Sequence, residues 1–366
     1  MAAEMLAAYY DHSCDSRSLF ADLEIAAAPS FERHLNKYPV IYVDMTAFTA
    51  GVADEDVVGN IQQELIADIA KAYPQVEYHD GDHLMKYLQD ISAATGEKFV
   101  MIIDEWDAVI RIYGDNRQVK DDFVNLLRRM FKDISTVEVF AGVYMTGILP
   151  IKKYKTTVST DRPESALNNF LEYSMVSPAE MAPFFGFNKQ EVQQLCERHG
   201  MDFNELEKWY DGYQIGDEHS MFNPNSVMQA LHHRWCESYW SATGSYEAVS
   251  SYINQNYEGL RDDIVKMLCG GRCIVNPKGF LNDLSEIHSR DDVLTVLIHL
   301  GYLTYDRATQ QCYIPNMEVG GEMESAVKRN NWEGVAKALD QSMRLLAATL
   351  DGDAKAAARM VEAAHS

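Results

Sequence analysis

Five apolar residues in unbroken succession, Phe99-Val100-Met101-Ile102-Ile103, closed by the acids Asp104-Glu105, constrain this chain more than any other segment. A strand with one wet face alternates apolar and polar residues. An unbroken run too short for a helix predicts a strand buried on both faces, the pattern of a parallel sheet covered by helices. Tyr38-Pro39-Val40-Ile41-Tyr42-Val43-Asp44 is a second short apolar run ended by an acid. Val57, Val58, Ile61, Leu65, Ile69 and Ala72 recur at three- and four-residue intervals up to Pro74, which predicts an amphipathic helix with a proline stop. Leu84, Tyr87, Leu88 and Ile91 outline another helix, and Phe123, Leu126, Leu127 and Met130 a third. Val137–Met145, ending at Thr146, is expected to be a strand, and Phe170–Val176 the last one. Strand, helices, strand, helix, strand predicts an α/β fold with an open parallel sheet.

With 366 residues, 47% of them hydrophobic and 24% charged, two domains are expected. Helices dominate beyond about residue 180, for example Asn188–His199 with Gly200 as C-cap. Asn223-Pro224 fits a helix start, with Asn223 as N-cap and Pro224 at the first helical position. Arg290–Leu300, then Gly301–Tyr305 and Gln311–Ile314, read as a helix leading into a β-hairpin, the outline of a winged-helix-like unit. The expected division is 1–180, an α/β core; 181–320, a helical and winged-helix-like domain; and 321–366, C-terminal helices.

The net charge of −23 argues against a broad nucleic-acid footprint and leaves Lys152-Lys153-Tyr154-Lys155 as a local basic strip. Six scattered cysteines are expected to be reduced thiols; Cys269 and Cys273, the one close pair, have no second pair to complete a zinc site. No apolar stretch approaches membrane-spanning length and no signal peptide is evident, so no membrane partner and a cytoplasmic location are expected.

Acids at strand exits face the ligand crevice of an open parallel sheet. Phosphoryl transfer to water needs one carboxylate to hold Mg²⁺, usually through water, and another to orient and deprotonate the attacking water. Asp104 and Glu105 suit these roles, and Thr146 on the neighbouring strand could bind the γ-phosphate or the attacking water. The competing reading makes Asp104 a helix cap, Glu105 a solvated loop charge and Thr146 a turn residue before Gly147. Tyr210-Asp211-Gly212-Tyr213 fits packing around a turn better than ligand stacking.

VMIIDEWDAVI (100–110), VYMTG (143–147), ALNNF (166–170), KWYDGYQIG (208–216), FNPNSV (222–227), YWSATGS (239–245), HLGYLTYD (299–306) and YIPNMEV (313–319) together resemble the AAA-ATPase-like proteins of bacteria. These are P-loop ATPases that commonly carry a C-terminal PD-(D/E)XK-type nuclease domain. The resemblance runs through nearly the whole chain. It implies an ASCE-like P-loop sheet, with ATP and Mg²⁺ as nucleotide and cofactor. It also implies Asp104 as the Walker B magnesium acid, Glu105 as general base and Thr146 as the sensor residue. A family segment reading Ser-Gly-x-Asn-Asn corresponds to Ser165–Asn169, which makes Asn169 a second-rank site residue; Arg162 is a candidate arginine finger in trans, against the plainer reading of a surface arginine.

The chain departs from the family at its phosphate loop. No GxxxxGK[ST] occurs; Gly96-Glu97-Lys98 lacks both the upstream glycine and the following hydroxyl. Met1–Tyr10 reads as a helix without an N-cap, resembling the one that follows the loop in the family. The expectation is a fragment lacking the loop and first strand, with a gap or a rearranged pairing between the Thr146 strand and the last strand, poor ATP binding and no nuclease activity. The alternative is a non-enzymatic module that binds protein or nucleic acid, DNA included.

Overall fold

The computed structural model describes residues 1–50, 56–79, 83–114, 116–132, 136–150, 170–240, 256–280, 287–329 and 333–364. They form two compact units: Met1–Glu172, and Tyr173–Phe280 with Ile287–Ser366.

In the first unit α1 (Ala2–Tyr10), α2 (Arg17–Phe20) and α3 (Phe31–His34) precede β1 (Val40–Asp44). Then come α4 (Met45–Thr49), α5 (Val57–Ala72), α6 (Leu84–Thr95), β2 (Phe99–Asp104), α7 (Ala108–Ile112), α8 (Arg117–Phe131), α9 (Thr136–Val139) and β3 (Phe140–Met145). The strands form a parallel sheet in the order β1-β2-β3, with Asp44 level with Asp104 and Ile103 level with Met145. Phe99 to Ile103 are all buried, because both faces of β2 are covered. Val100 and Ile102 pack in one cluster with Ala3 of α1, joined by Leu6, Ala7, Tyr10 and Tyr144. Phe99, on the other face, meets the Tyr73 ring just beyond α5.

The α1 helix runs against the strand direction. Its end is tied to the entry of β1, where the amides of Lys37 and Tyr38 donate to the Tyr10 carbonyl. Its beginning rests on the sheet through Ala3, and the Glu4 carboxylate is near enough to Tyr42 to help hold that phenol protonated. The helix N-terminus therefore lies toward the carboxyl ends of the strands.

Two expectations need correction. Val137–Val139 belongs to the short helix α9, so the strand begins at Phe140. Phe170–Val176 is not a strand: the amides of Ser174 and Ser177 each donate to the other's carbonyl at 3.2 and 3.0 Å, closing a tight turn, and Leu171 is 81% exposed. The apolar residues there gave a strand-like composition, but the local serine turn reverses the chain. Among the described residues no strand pairs with the outer edge of β3, where Ala141 and Gly142 are exposed. Water can satisfy those edge groups, so the unpaired edge does not carry the penalty of buried orphan amides.

The second unit contains two small antiparallel sheets. Strands β4 (Phe187–Asn188), β5 (Tyr213–Ile215) and β6 (Glu218–Phe222) lie in the order β4-β6-β5. They are interleaved with α10 (Lys189–His199), α11 (Phe203–Tyr210) and, after β6, α12 (Pro224–His233). Further on, α13 (Leu260–Leu268), β7 (Cys273–Ile274), α14 (Arg290–His299), β8 (Thr304–Asp306) and β9 (Gln311–Tyr313) surround a sheet of order β7-β9-β8. Helices α15 (Met317–Arg329), α16 (Glu333–Leu350) and α17 (Ala354–Ala364) follow.

Local chemistry sets several boundaries here. Asn188 and Glu191 form a reciprocal capping box at α10, and Gly200 closes that helix in the left-handed conformation. Asn223 caps α12, with Pro224 at its first position. Asn188→Ala should cost this unit about 1 kcal/mol, visible as a lower denaturation midpoint with an unchanged denaturant slope. Tyr210 and Tyr213 serve packing. The Tyr210 hydroxyl donates to the Glu237 carbonyl at 3.0 Å, and that of Tyr213 to the Gly301 carbonyl at 2.9 Å. Between them Gly212 has φ 111° and abuts the Pro315 carbonyl, so a side chain has neither the conformation nor the room there.

Candidate functional site

The site is built where β1, β2 and β3 end together. Asp104 closes β2 on the α1 face of the sheet, the face that also carries Tyr42, Ile102 and Tyr144. The Thr146 hydroxyl donates a short hydrogen bond to one Asp104 oxygen, and the Tyr42 hydroxyl donates to the other at 3.2 Å. Tyr42 is level with Ile102, so it reaches Asp104 along the diagonal between neighbouring strands. Burial first, and then the Asp104 charge, push the Tyr42 phenol up to about 12, so it remains a donor at neutral pH.

Glu105 does not continue the strand. Its φ of 53° places it in the left-handed region, which costs a non-glycine residue roughly 1–3 kcal/mol. That turn breaks the alternation that would otherwise send two consecutive side chains to opposite faces. The exit is held from β3: the Glu105 amide donates to the Thr146 hydroxyl at 3.3 Å, the Trp106 amide to the Thr146 carbonyl at 2.8 Å, and the Thr146 amide to the Ile103 carbonyl at 2.9 Å. Thr146 thus joins Asp104 and Glu105 through its hydroxyl and backbone together.

Beyond the acids, Trp106 and Asp107 lock onto the next turn. The Trp106 indole donates to the Leu149 carbonyl at 3.1 Å, and the fully buried Asp107 carboxylate accepts from the amides of Ile148 and Leu149 at 3.3 and 3.1 Å. Gly147 lies so close that a Cβ would fall 2.5 Å from the Trp106 ring and 2.6 Å from Asp107. Arg111, one turn into α7, donates to Glu105 at 2.5 Å and to Asp107 at 3.2 Å.

Burial raises the Glu105 carboxyl above its ordinary range; Arg111 opposes this, while Asp107, Asp104 and Asp44 add to it. Burial likewise raises Asp107, against Arg111 and the two amides. Asp44 turns aside and caps α4, accepting from the Thr46 amide at 2.9 Å and its hydroxyl at 2.6 Å.

Asp104, Glu105 and Thr146 are therefore brought together. Asn169, Arg162 and the strip Lys152–Lys155 lie outside the described residues. Asp104 does not cap the following helix, since its oxygens accept from Thr146 and Tyr42. Tyr42, Asp107, Arg111 and Gly147 were not singled out from the sequence. The i,i+4 spacing of Asp107 and Arg111 was the available signal for one pair; Tyr42 required knowledge of strand register.

Among the described residues no three His, Cys, Asp or Glu side chains converge on a metal-sized site. A single strand-end carboxylate fits a hydrated Mg²⁺ held mainly by water and phosphate oxygens. No helix among them is long and apolar enough to cross a membrane.

Residues 1–157, which include the whole strand-end cluster, match a family described as a predicted AAA-ATPase. The match supports a likeness to AAA-ATPase-like proteins over this segment and loosely implies nucleotide and Mg²⁺ use. No curated protein and no solved structure matches the chain.

Proposed function

We propose that the first unit carries the hydrolytic half of an ATP-hydrolysing site. The observation that carries this reading is the joint placement of Asp104, Glu105 and Thr146 at adjoining strand exits, with the Thr146 hydroxyl between the first acid and the amide of the second. Asp104 is the Walker B acid and would hold Mg²⁺, whose chemistry is to neutralise charge on the β- and γ-phosphates. Glu105 accepts the proton of the attacking water, and Thr146 orients water or the γ-phosphate. Raised basicity from burial suits Glu105 to that task. Asn169 and Arg162 are proposed as secondary contributors, the latter from a neighbouring copy.

The strong phosphate grip is not supplied by these 366 residues, because no GxxxxGK[ST] is present. The open edge of β3 is where a further parallel strand would extend the sheet. The N-terminus of α1 lies toward the carboxyl ends of the strands, where free helix amides favour a phosphate. This chain alone is therefore a weak nucleotide binder. Calorimetric titration with Mg–ATP should give a dissociation constant of about 1 mM or weaker; micromolar affinity would refute the deficiency. Joining a strand and phosphate loop ahead of Met1 should bring binding into the micromolar range.

The competing reading, a winged-helix-like binding module, draws less support. In α14 the run Val293–Ile298 is buried, and its half-buried start carries Asp291 and Asp292. A helix that reads a DNA groove needs a free, non-acidic face. Salt-dependent binding of duplex DNA by the intact chain would favour that module instead.

A further inference from the structure

Arg111 is absorbed by none of the roles above, yet it touches both acids that lie between β2 and α7. Its guanidinium reaches Glu105 with one terminal nitrogen at 2.5 Å and Asp107 with Nε at 3.2 Å. The two anchors differ in kind. The Asp107 carboxylate is fully buried and also accepts from the amides of Ile148 and Leu149, whereas Glu105 remains 40% exposed at the crevice. A planar guanidinium can hold two carboxylates at fixed relative positions; an ammonium, being a point charge, cannot.

We propose that Arg111 is a positioning residue that couples Glu105 to the turn 146–149, so that the carboxylate and the Ile148 and Leu149 amides are ordered together. A second link supports the coupling, since the same turn supplies Thr146, which holds the Glu105 amide. Through Arg111 the side chain is tied to the end of β3 as well as the backbone. A disturbance of that turn thereby reaches Glu105 without passing through Asp104. The catalytic meaning of this coupling rests on the reading of Glu105 as the base; the coupling itself does not.

Amide hydrogen exchange on the intact chain, without nucleotide, tests it. Glu105→Ala removes a side chain that makes no contact of its own with the two amides. It should nevertheless speed exchange at Ile148 and Leu149 by about threefold to fivefold, as one arm of the bridge is lost. In an Arg111→Met background the same substitution should add nothing. Arg111→Lys should leave an intermediate rate, because lysine can pair with only one acid well. Exchange at Ile148 and Leu149 that is indifferent to Glu105→Ala overturns the proposal, even if Arg111→Met speeds it, since Arg111 would then serve Asp107 alone. Because no nucleotide enters the measurement, its failure is distinct from a failure of the hydrolytic reading, which the Mg–ATP titration addresses.

Discussion

Glu105→Gln should abolish hydrolysis while leaving nucleotide binding unchanged, once a phosphate-gripping strand and loop is joined to the chain. The amide keeps the size of the side chain and can still accept from Arg111, but it cannot take a proton from water. Removing a general base costs typically 10²- to 10⁴-fold, so single-turnover hydrolysis should fall by about that factor. Unaltered turnover would remove Glu105 from the mechanism. The pH profile gives the same residue a second check. Burial lifts the Glu105 carboxyl above its ordinary value, so the base is lost by protonation earlier on acidification. Turnover should therefore decline at a pH above the ordinary glutamate value of about 4.3. Arg111→Met, which removes the charge opposing that rise, should move the decline to still higher pH.

The largest effect on stability is expected at Gly147→Ala. The added methyl group would sit 2.5 Å from the Trp106 ring and 2.6 Å from the Asp107 carboxylate, and both are pinned by hydrogen bonds to the turn itself. Neither can withdraw cheaply. Overpacking of this kind costs roughly 1–3 kcal/mol, which should lower the melting temperature of the first unit by roughly 2–12 °C. Gly142→Ala is the natural control, because nothing lies within 4 Å of its would-be Cβ on the exposed part of β3. Equal melting temperatures for the two variants would show that the turn at Gly147 yields more readily than its contacts indicate.

What the sequence disclosed and what it hid follow from the range of the forces involved. The β2 run was legible because a strand buried on both faces needs apolar residues at every position, and α5 because its contacts recur with the helical period. The caps at Gly200 and Asn223 were legible because each acts within a few residues of chain, Gly200 through a left-handed backbone and Asn223 through a side chain that bonds to the amides just after it. Asp104, Glu105 and Thr146 could be proposed as a group because strand ends in a parallel sheet lie side by side. Tyr42 could not, since its bond to Asp104 spans 62 positions and depends on register. Phe170–Val176 misled because strand propensity is weak beside tertiary context, and two serines closing a turn outweighed it. Asp107 was not singled out from the sequence. Its burial emerges only when the Ile148 and Leu149 amides are brought to it.

The left-handed backbone at Glu105 places that position under opposing demands. Conformation alone would favour glycine there, so Glu105→Gly should be well tolerated by the backbone while discarding the carboxylate. Selection for thermal robustness, with no requirement for activity, would thus be drawn to the very substitution that removes the proposed base. A stabilised variant recovered from such a screen would need to be sequenced at codon 105 before any loss of turnover was blamed on rigidity.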